Sequence, residues 1–421
     1  MRIWERLKPF RRRLLLILAV IGPGIITANV DNDAGGITTY SVAGARYGYD
    51  LLWMLILTTL ALIIVQEMSA RLGVVTGKGL ADLIREKMGV RITAVILGIL
   101  VIANLANTVS EFAGVAASLE IFGISKYISV PIVAVGVWLL ITKGNYKIVE
   151  RVFLVASVLY LAYVASGLMA NPDWNLVLKA SVTPTFHFES GYIALFITVI
   201  GTTIAPWMQF YQQSSIADKG LKPKDYKYER WDVIIGCLFT DIVAGFIIVA
   251  CAATIYAKGL PIDSAKDAAL ALGPLAGKYA SALFAFGLLN ASVFSAAILP
   301  LSTAYAVCEA FGWEARVNAG LKEAPVFFGI YTSMIVLGAS VILLPIKSLL
   351  ETMLASQTLN GVLLPVILIV MLQLVNDRRL MGKFVNGRVL NIVTWGTVVI
   401  LITLTLLLVV TSVFPGLLGK V

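Results

Sequence analysis

Apolar stretches near 20 residues long recur along the whole chain, separated mostly by short polar or basic intervals. A run of that length spans about 30 Å of hydrocarbon as an α-helix. The pattern predicts eleven membrane-crossing segments, near 14–45, 51–72, 92–118, 128–142, 149–170, 192–215, 231–256, 279–308, 325–345, 349–375 and 390–414. The stretch 171–191, with Pro172, Pro184 and His187, reads as a long outer connection. The stretch 259–278 reads as a second one, with a weakly amphipathic patch from Ala265 to Leu272. The expected fold class is an all-α membrane protein of about 11 transmembrane helices, without a separate soluble domain.

Composition and charge support this expectation and orient it. Hydrophobic residues make up 59% of the chain and charged ones 14%, against roughly 25% charged in soluble domains. The intervals Arg71–Arg91, Lys143–Arg151, Lys219–Arg230, Arg316–Lys322 and Arg378–Arg388, with the first thirteen residues, hold roughly 25 of the 33 Lys and Arg. That asymmetry places the N-terminus in the cytoplasm and the C-terminus outside. It also assigns the net charge of +9 to membrane topology, so no nucleic-acid partner is expected. Residues 1–13, with Arg2, Arg6, Lys8 and Arg11 to Arg13, are expected as an uncleaved cytoplasmic tail, because the following apolar run outlasts a signal peptide. Cys237, Cys251 and Cys308 lie far apart in apolar stretches and read as small hydrophobes. The single histidine, His187, falls outside the spans, which leaves no histidine for a proton relay within the membrane.

Two segments are interrupted. The centre of the first reads Ala28-Asn29-Val30-Asp31-Asn32-Asp33-Ala34-Gly35-Gly36. A carboxylate at membrane depth costs about 2.5–3.5 kcal/mol unless it is solvated or paired. Gly35 and Gly36 supply a backbone able to leave helical geometry and expose its carbonyls. The sixth reads Gly201-Thr202-Thr203-Ile204-Ala205-Pro206-Trp207, where Pro206 frees the carbonyl of Thr202. Alone, Pro206 is equally well a packing kink. Breaks in segments 1 and 6 together point to two inverted five-segment repeats around a central ion site. The repeats would cover 14–170 and 192–375, joined by the outer loop 171–191, with a loop and the eleventh segment in 376–421.

These stretches resemble the Nramp family of divalent-metal transporters. The resemblance covers Gly22-Pro23-Gly24, Asp33-Ala34-Gly35-Gly36, Ala43-Gly44-Ala45 and Tyr47-Gly48-Tyr49 in the first segment. It continues through Arg71-Leu72-Gly73-Val74-Val75-Thr76-Gly77-Lys78, Ser356-Gln357 to Leu364-Pro365, and Asn376-Asp377-Arg378-Arg379-Leu380-Met381-Gly382. The family resemblance implies a LeuT-like fold in the plasma (inner) membrane and uptake of a divalent cation. Two positions depart from it. The family's Asp-Pro-Gly-Asn is here Asp33-Ala34-Gly35-Gly36, which keeps the acid and loses the amide. Its Met-Pro-His is here Ala205-Pro206-Trp207, without the thioether or the histidine implicated in proton coupling. The pattern is similar to the family's magnesium-transporting branch. Carboxylate, carbonyl and water suit Mg²⁺, Ca²⁺ and Mn²⁺, and Mg²⁺ sheds its water reluctantly. The loss of bulk at Gly36 and Ala205 therefore leads one to expect a wider, wetter pocket for a partly hydrated ion.

On the resemblance, Asp33, Gly36, Thr202 (through its carbonyl), Ala205 and Gln357 form the metal site, with Asp33 as electrostatic anchor. Asp31, Glu111, Trp207 and Asp241 are candidates for the transport path or coupling. Asp31 is expected in a vestibule. Glu111 resembles the family's proton-transferring glutamate, and a structural hydrogen-bonding role fits it equally. Asp241 is a functional candidate by its membrane depth, or a buried acid bonded to backbone. Trp207 lines the inward path or is simply packed. Glu67 and Glu120 are expected at the interfaces. Facilitated uptake of Mg²⁺, with Mn²⁺ possible and without proton coupling, leads. Its rivals are a proton-coupled Mn²⁺/Fe²⁺ symporter and a sodium-coupled organic-solute carrier. No enzymatic motif is present: His-Glu-x-x-His, Gly-x-Ser-x-Gly and phosphate loops are all missing. The metal is cargo and no cofactor is expected. The expected partners are the ion and the lipid bilayer, around a monomer.

Overall fold

The computed structural model describes residues 27, 30–143, 157–317 and 319–413. The expected tail 1–13, most of the first half of segment 1 with Gly22-Pro23-Gly24, the turn and start of segment 5 (144–156) and residues 414–421 lie outside the described residues. Within them all regular structure is helical. The spans are α1 (Ala34–Tyr47), α2 (Leu52–Thr76), α3 (Leu80–Glu120), α4 (Lys126–Lys143), α5 (Leu161–Met169), α6a (Ser190–Thr203), α6b (Pro206–Asp218), α7 (Tyr226–Thr254), α8 (Ala280–Phe311), α9 (Pro325–Leu343), α10 (Leu349–Val375) and α11 (Arg388–Val413). Nine stretches among the described residues are long and apolar enough to cross a membrane. They coincide with nine of the eleven expected segments. The remaining two, segments 1 and 5, are described only in part, as α1 and α5.

Three connections differ from expectation. The interval 71–91 is mostly helical: α2 runs on to Thr76 and is closed by Gly77 in the left-handed region (φ 65°), whose N–H donates to Gly73 O at 2.8 Å. The chain re-enters helix at Leu80 and bends at Gly89 (φ 78°) before the span proper. The outer connection 171–191 contains a helix, Trp174–Val182, started by Asp173, whose carboxylate accepts from Asn175 N and Leu176 N. An Asp at an N-cap is a local signal of a helix start, which length and proline content alone do not carry. Short helical turns also occupy 265–276, where the amphipathic patch was expected.

Small residues bring the central helices together, since apolar lipid gives them no hydrophobic reason to associate. A Cβ on Gly201 of α6a would collide with Gln357 O and Gly361 N of α10, and one on Gly361 with Ile197 O. Gly44 of α1 lies against Ile248 O and Cys251 of α7, and Gly114 of α3 against Ala34 and Ser292. All three cysteines are buried and free, as small hydrophobes would be.

Glu67 is enclosed by the protein rather than exposed at the end of its span. It is buried and pairs with Arg71 at 3.1 Å. Tyr226 OH also donates to Glu67, while Arg71 donates to Phe384 O at 2.8 Å and to Asn386 Oδ1. A buried pair survives only when such extra bonds satisfy it. This network ties α2 to α7 and to the loop before α11.

The close approach of α6a and α10 is open to a stability test. Gly201→Ala is expected to lower the thermal midpoint of the detergent-solubilised protein, by about 1–3 kcal/mol of overpacking. Gly98→Ala, whose Cβ would have nothing within 4 Å, is expected to leave it unchanged or slightly raised in the same scan.

Candidate functional site

The site forms where two helices are interrupted. Asn32 and Asp33 leave helical geometry, and Asp33 becomes the N-cap of α1 in an extended conformation (φ −72°, ψ −175°). Its Oδ1 accepts from Gly36 N at 2.6 Å. An Asp here is favoured because the first N–H groups of a helix lack intrahelical acceptors. Across from it α6a stops at Thr203, Ile204 and Ala205 are non-helical, and Pro206 opens α6b. Pro206 therefore marks a true break, with a fixed φ suited to a first helical position. The break leaves the carbonyls of the last turn of α6a, that of Thr202 among them, without intrahelical donors. It sets the negative end of α6a facing the centre of the membrane.

Gly35 and Gly36 are not unwound; both lie in the first turn of α1. Their role is close approach. A Cβ on Gly35 would occupy the position of the Gln357 amide, and one on Gly36 would lie 2.5 Å from Asp31 O and 3.2 Å from Thr202 Oγ1. Space freed at position 36 is thus taken up by the Asp31 backbone and Thr202. Asp33, Thr202, Ala205 and Gln357 are all buried.

α10 brings Gln357 to the same point. Its Nε2 lies 3.5 Å from Asp33 Oδ2, and its Oε1 accepts from Asn360 Nδ2 at 2.8 Å. Asn360 and Asn107 of α3 exchange amide hydrogen bonds at 2.9 and 3.0 Å. A chain of amides thus runs from α3 through α10 to the carboxylate of Asp33. Tyr40 OH lies 2.9 Å from Thr203 Oγ1, linking α1 to α6a. Asn32 Nδ2 donates to Thr240 Oγ1 at 2.6 Å, linking the break to α7. Hydropathy and charge do not single out Asn32, Asn107, Asn360, Tyr40 or Thr240. Uncharged amides within apolar segments were the available signal.

Four carboxyls gather here. Asp33 is 3% exposed, and Glu111 of α3 is fully buried with its Oε2 accepting from Ala34 N at 3.2 Å. Glu111 also reaches the carboxyl of Asp33. It caps the start of α1 and neighbours the anchor at once, so its two expected roles are not alternatives in geometry. Asp31 is buried rather than vestibular, and its nearest like charge is Asp241 of α7. Neither oxygen of Asp31 or of Asp241 has a hydrogen-bond partner within 3.5 Å, and the polar neighbour of Asp241 is the Thr59 side chain, not backbone. Among the described residues, none of the four forms an ion pair with a Lys, Arg or His. Likewise among them, no three His, Cys, Asp or Glu side chains converge closely enough to hold a metal. The acids lie as neighbouring pairs, and further oxygen ligands would have to come from amides, carbonyls or water. The unpartnered atoms, including Thr202 Oγ1 and Glu111 Oε1, are hard oxygens. Trp207 is buried in the first turn of α6b, its ring 6.3 Å from that of Tyr211 and its carbonyl accepting from Ser302 Oγ. Packing, not a path lining, describes it in this conformation. His187 lies away from the site, 2.8 Å from Asp50 Oδ2.

Comparison with known proteins agrees with this architecture. The divalent metal cation transporter MntH of Bacillus subtilis is 26% identical over 409 residues, covering 94% of this chain and 92% of that protein. MntH of Chromohalobacter salexigens is 28% identical over 414 residues, covering 94% and 92%. The manganese transporter of Eremococcus coleocola has the same fold, with a TM-score of 0.77 at 22% identity, covering 94% of this chain and 86% of that one. A nucleobase-cation-symport-1 family transporter shares it more distantly, with a TM-score of 0.57 at 15% identity over 92% and 89% of the two chains. The fold is thus the LeuT-like one, in a multi-pass membrane protein. The description "Natural resistance-associated macrophage protein-like" matches residues 24–411, and on that match the chain belongs to the Nramp family.

Proposed function

We propose that this chain carries divalent metal cations inward across the plasma (inner) membrane by alternating access, with Mg²⁺ as main substrate and Mn²⁺ as a second. One observation carries the reading: four buried carboxyls flank the break between Asp31 and Ala34, faced by the carbonyl end of α6a, with no basic partner among the described residues. Such a site draws a cation and repels the anionic group of an organic solute, which argues against a sodium-coupled solute carrier. The curated relatives named as divalent metal cation transporters support the same substrate class. Asp33 is the anchor, the Thr202 and Ala205 carbonyls and Gln357 are further ligands, and retained water completes the shell, as Mg²⁺ prefers. The repeats 14–170 and 192–375 would rock about this point, with the N-terminus in the cytoplasm and the C-terminus outside.

The preference for Mg²⁺ rests on Gly36 and Ala205 standing where the family motifs carry an amide and a thioether. Uptake without proton coupling rests on Trp207 at the position of the family's histidine, and on His187 lying beside Asp50 instead. A second reading, a proton-coupled Mn²⁺/Fe²⁺ symporter, is favoured by one feature: Glu111 adjoins Asp33 and could take its proton when a metal arrives.

In proteoliposomes Asp33→Ala is expected to abolish Mg²⁺ uptake with expression and elution profile intact; near-normal flux would place the site elsewhere. Wild-type uptake, followed with an internal pH dye under a membrane potential, is expected to proceed without internal acidification. Acidification in step with metal entry would transfer the assignment to the proton-coupled reading. Ala205→Met, alone and with Gly36→Asn, is expected to raise Mn²⁺ and Cd²⁺ binding relative to Mg²⁺ in calorimetric titration. The double variant must also displace the Asp31 carbonyl, so a loss of all binding there, with the single variant shifted, still fits. An unchanged selectivity in Ala205→Met counts against the ligand argument.

A further inference from the structure

α6b is a polar helix in a buried position. Gln209, Gln212, Gln213 and Ser214 are all excluded from solvent. Gln209 and Gln213 have partners. The Gln209 amide, oriented to satisfy both its ends, donates to Ala205 O and Pro206 O at 2.9 and 2.8 Å, and Gln213 Nε2 donates to Lys78 O at 3.0 Å. Gln212 is different. It is fully buried, and neither its oxygen nor its nitrogen has a hydrogen-bond partner.

Beside Gln212 stands Glu229, in the first turn of α7. It too is fully buried, and both its carboxylate oxygens lack a partner. Asp232, one turn further along α7 and also buried, is its nearest like charge. Lys219 acts on Glu229 from an exposed position, but among the described residues Glu229 forms no ion pair. Two other buried acids lie nearby, and one oxygen of Glu309 also lacks a partner. Glu67 has Arg71 and Tyr226, and Glu309 packs against Gly79 at the start of α3 with Ser214 beside it. Apart from each other, this buried acid and this buried amide have no partner, and hard oxygens so placed suit a cation. Gln212 lies six residues beyond Pro206, which is about 9 Å along the helix from the break.

We propose that Glu229, Asp232 and Gln212 form a second divalent-cation site on the cytoplasmic side of Asp33, occupied by a partly hydrated ion as it leaves along α6b. The inference rests on the reading of the chain as a cation importer with a cytoplasmic N-terminus. Two carboxylates and one amide oxygen, with water filling the remaining positions, match a hard divalent ion. Passing the ion to this site frees Asp33 before the ion reaches the cytoplasm. The site therefore governs release and leaves capture from outside untouched.

The test counts bound Mn²⁺ on the purified full chain by equilibrium dialysis and measures Mg²⁺ uptake into proteoliposomes. Wild type is expected to hold two Mn²⁺ per chain at saturation, Asp33→Ala one, and Asp33→Ala with Glu229→Gln none. Glu229→Gln and Gln212→Leu are each expected to lower the maximal uptake rate by roughly threefold to tenfold, with KM for external Mg²⁺ unchanged or lower. An Asp33→Ala chain that binds no Mn²⁺, or a Glu229→Gln chain that transports at the wild-type rate, overturns the second site. The first of these measurements does not depend on any change at Glu229, so misfolding of that variant cannot mask the result. Wild-type protein that neither binds Mn²⁺ nor transports Mg²⁺ would instead refute the transport reading on which the inference stands.

Discussion

A carboxylate removed from water needs hydrogen-bond donors, a proton or a cation, and the centre of this chain holds four with few donors between them. Asp33 receives Gly36 N and a long contact from Gln357; Glu111 receives Ala34 N; Asp31 and Asp241 receive nothing. At about 2.5–3.5 kcal/mol for each charge at membrane depth, the cluster carries a large local cost. The rest of the architecture makes sense as the means of holding it. The break at Asn32 and Asp33 gives the anchor a helix N-terminus to cap, and the break at Ile204 and Ala205 turns carbonyls toward it. Four carboxyls with few donors leave negative charge in excess at this point. A cation therefore stabilises the assembly where an anion would not.

Glycine makes the cluster compact. Without Gly35 the amide of Gln357 could not reach Asp33, and without Gly201 and Gly361 helix α10 could not lie near enough to α6a to present it. Gln357 is in turn oriented by Asn360 and Asn107, so the position of a prospective ligand on α10 is fixed from α3. The same helix α3 delivers Glu111 to the start of α1. Movement of α3 or α10 against α1 thus alters the donor set around Asp33 directly. The 3.5 Å separation of Gln357 from Asp33 is the weakest link of this chain and the natural place for an ion or water to enter.

The same logic recurs in α6b and α7. Some buried polar groups there pair, Glu67 with Arg71, Ser69 with Gln209 O at 2.7 Å and Gln213 with Lys78 O, while others, among them both amide atoms of Gln66 and Glu309 Oε2, do not. Glu229 and Gln212 carry the desolvation of an acid and an amide with only each other as polar neighbours within hydrogen-bonding reach. One helix, α6b, starts at the central break and ends among these groups. The sequence of polar positions along it is thus also a spatial route away from Asp33.

The membrane character, the nine spans found among the described residues and the break at Pro206 were readable from the chain, because each depends on local properties: length of apolar runs and a proline in a span. Family membership was readable from motifs such as Arg71 to Lys78 and Asn376 to Gly382. What Gly35 and Gly36 do was not readable, since flexibility and close packing ask for the same residue and only the position of Gln357, 322 residues downstream of Gly35, distinguishes them. The burial of Asp31 and Glu67, the amide chain from Asn107 to Asp33, and the isolation of Glu229 were likewise decided by which helices meet. A sequence reveals that a polar group lies in a membrane segment; whether that group has a partner is settled by residues hundreds of positions away, brought into contact only by the tertiary fold.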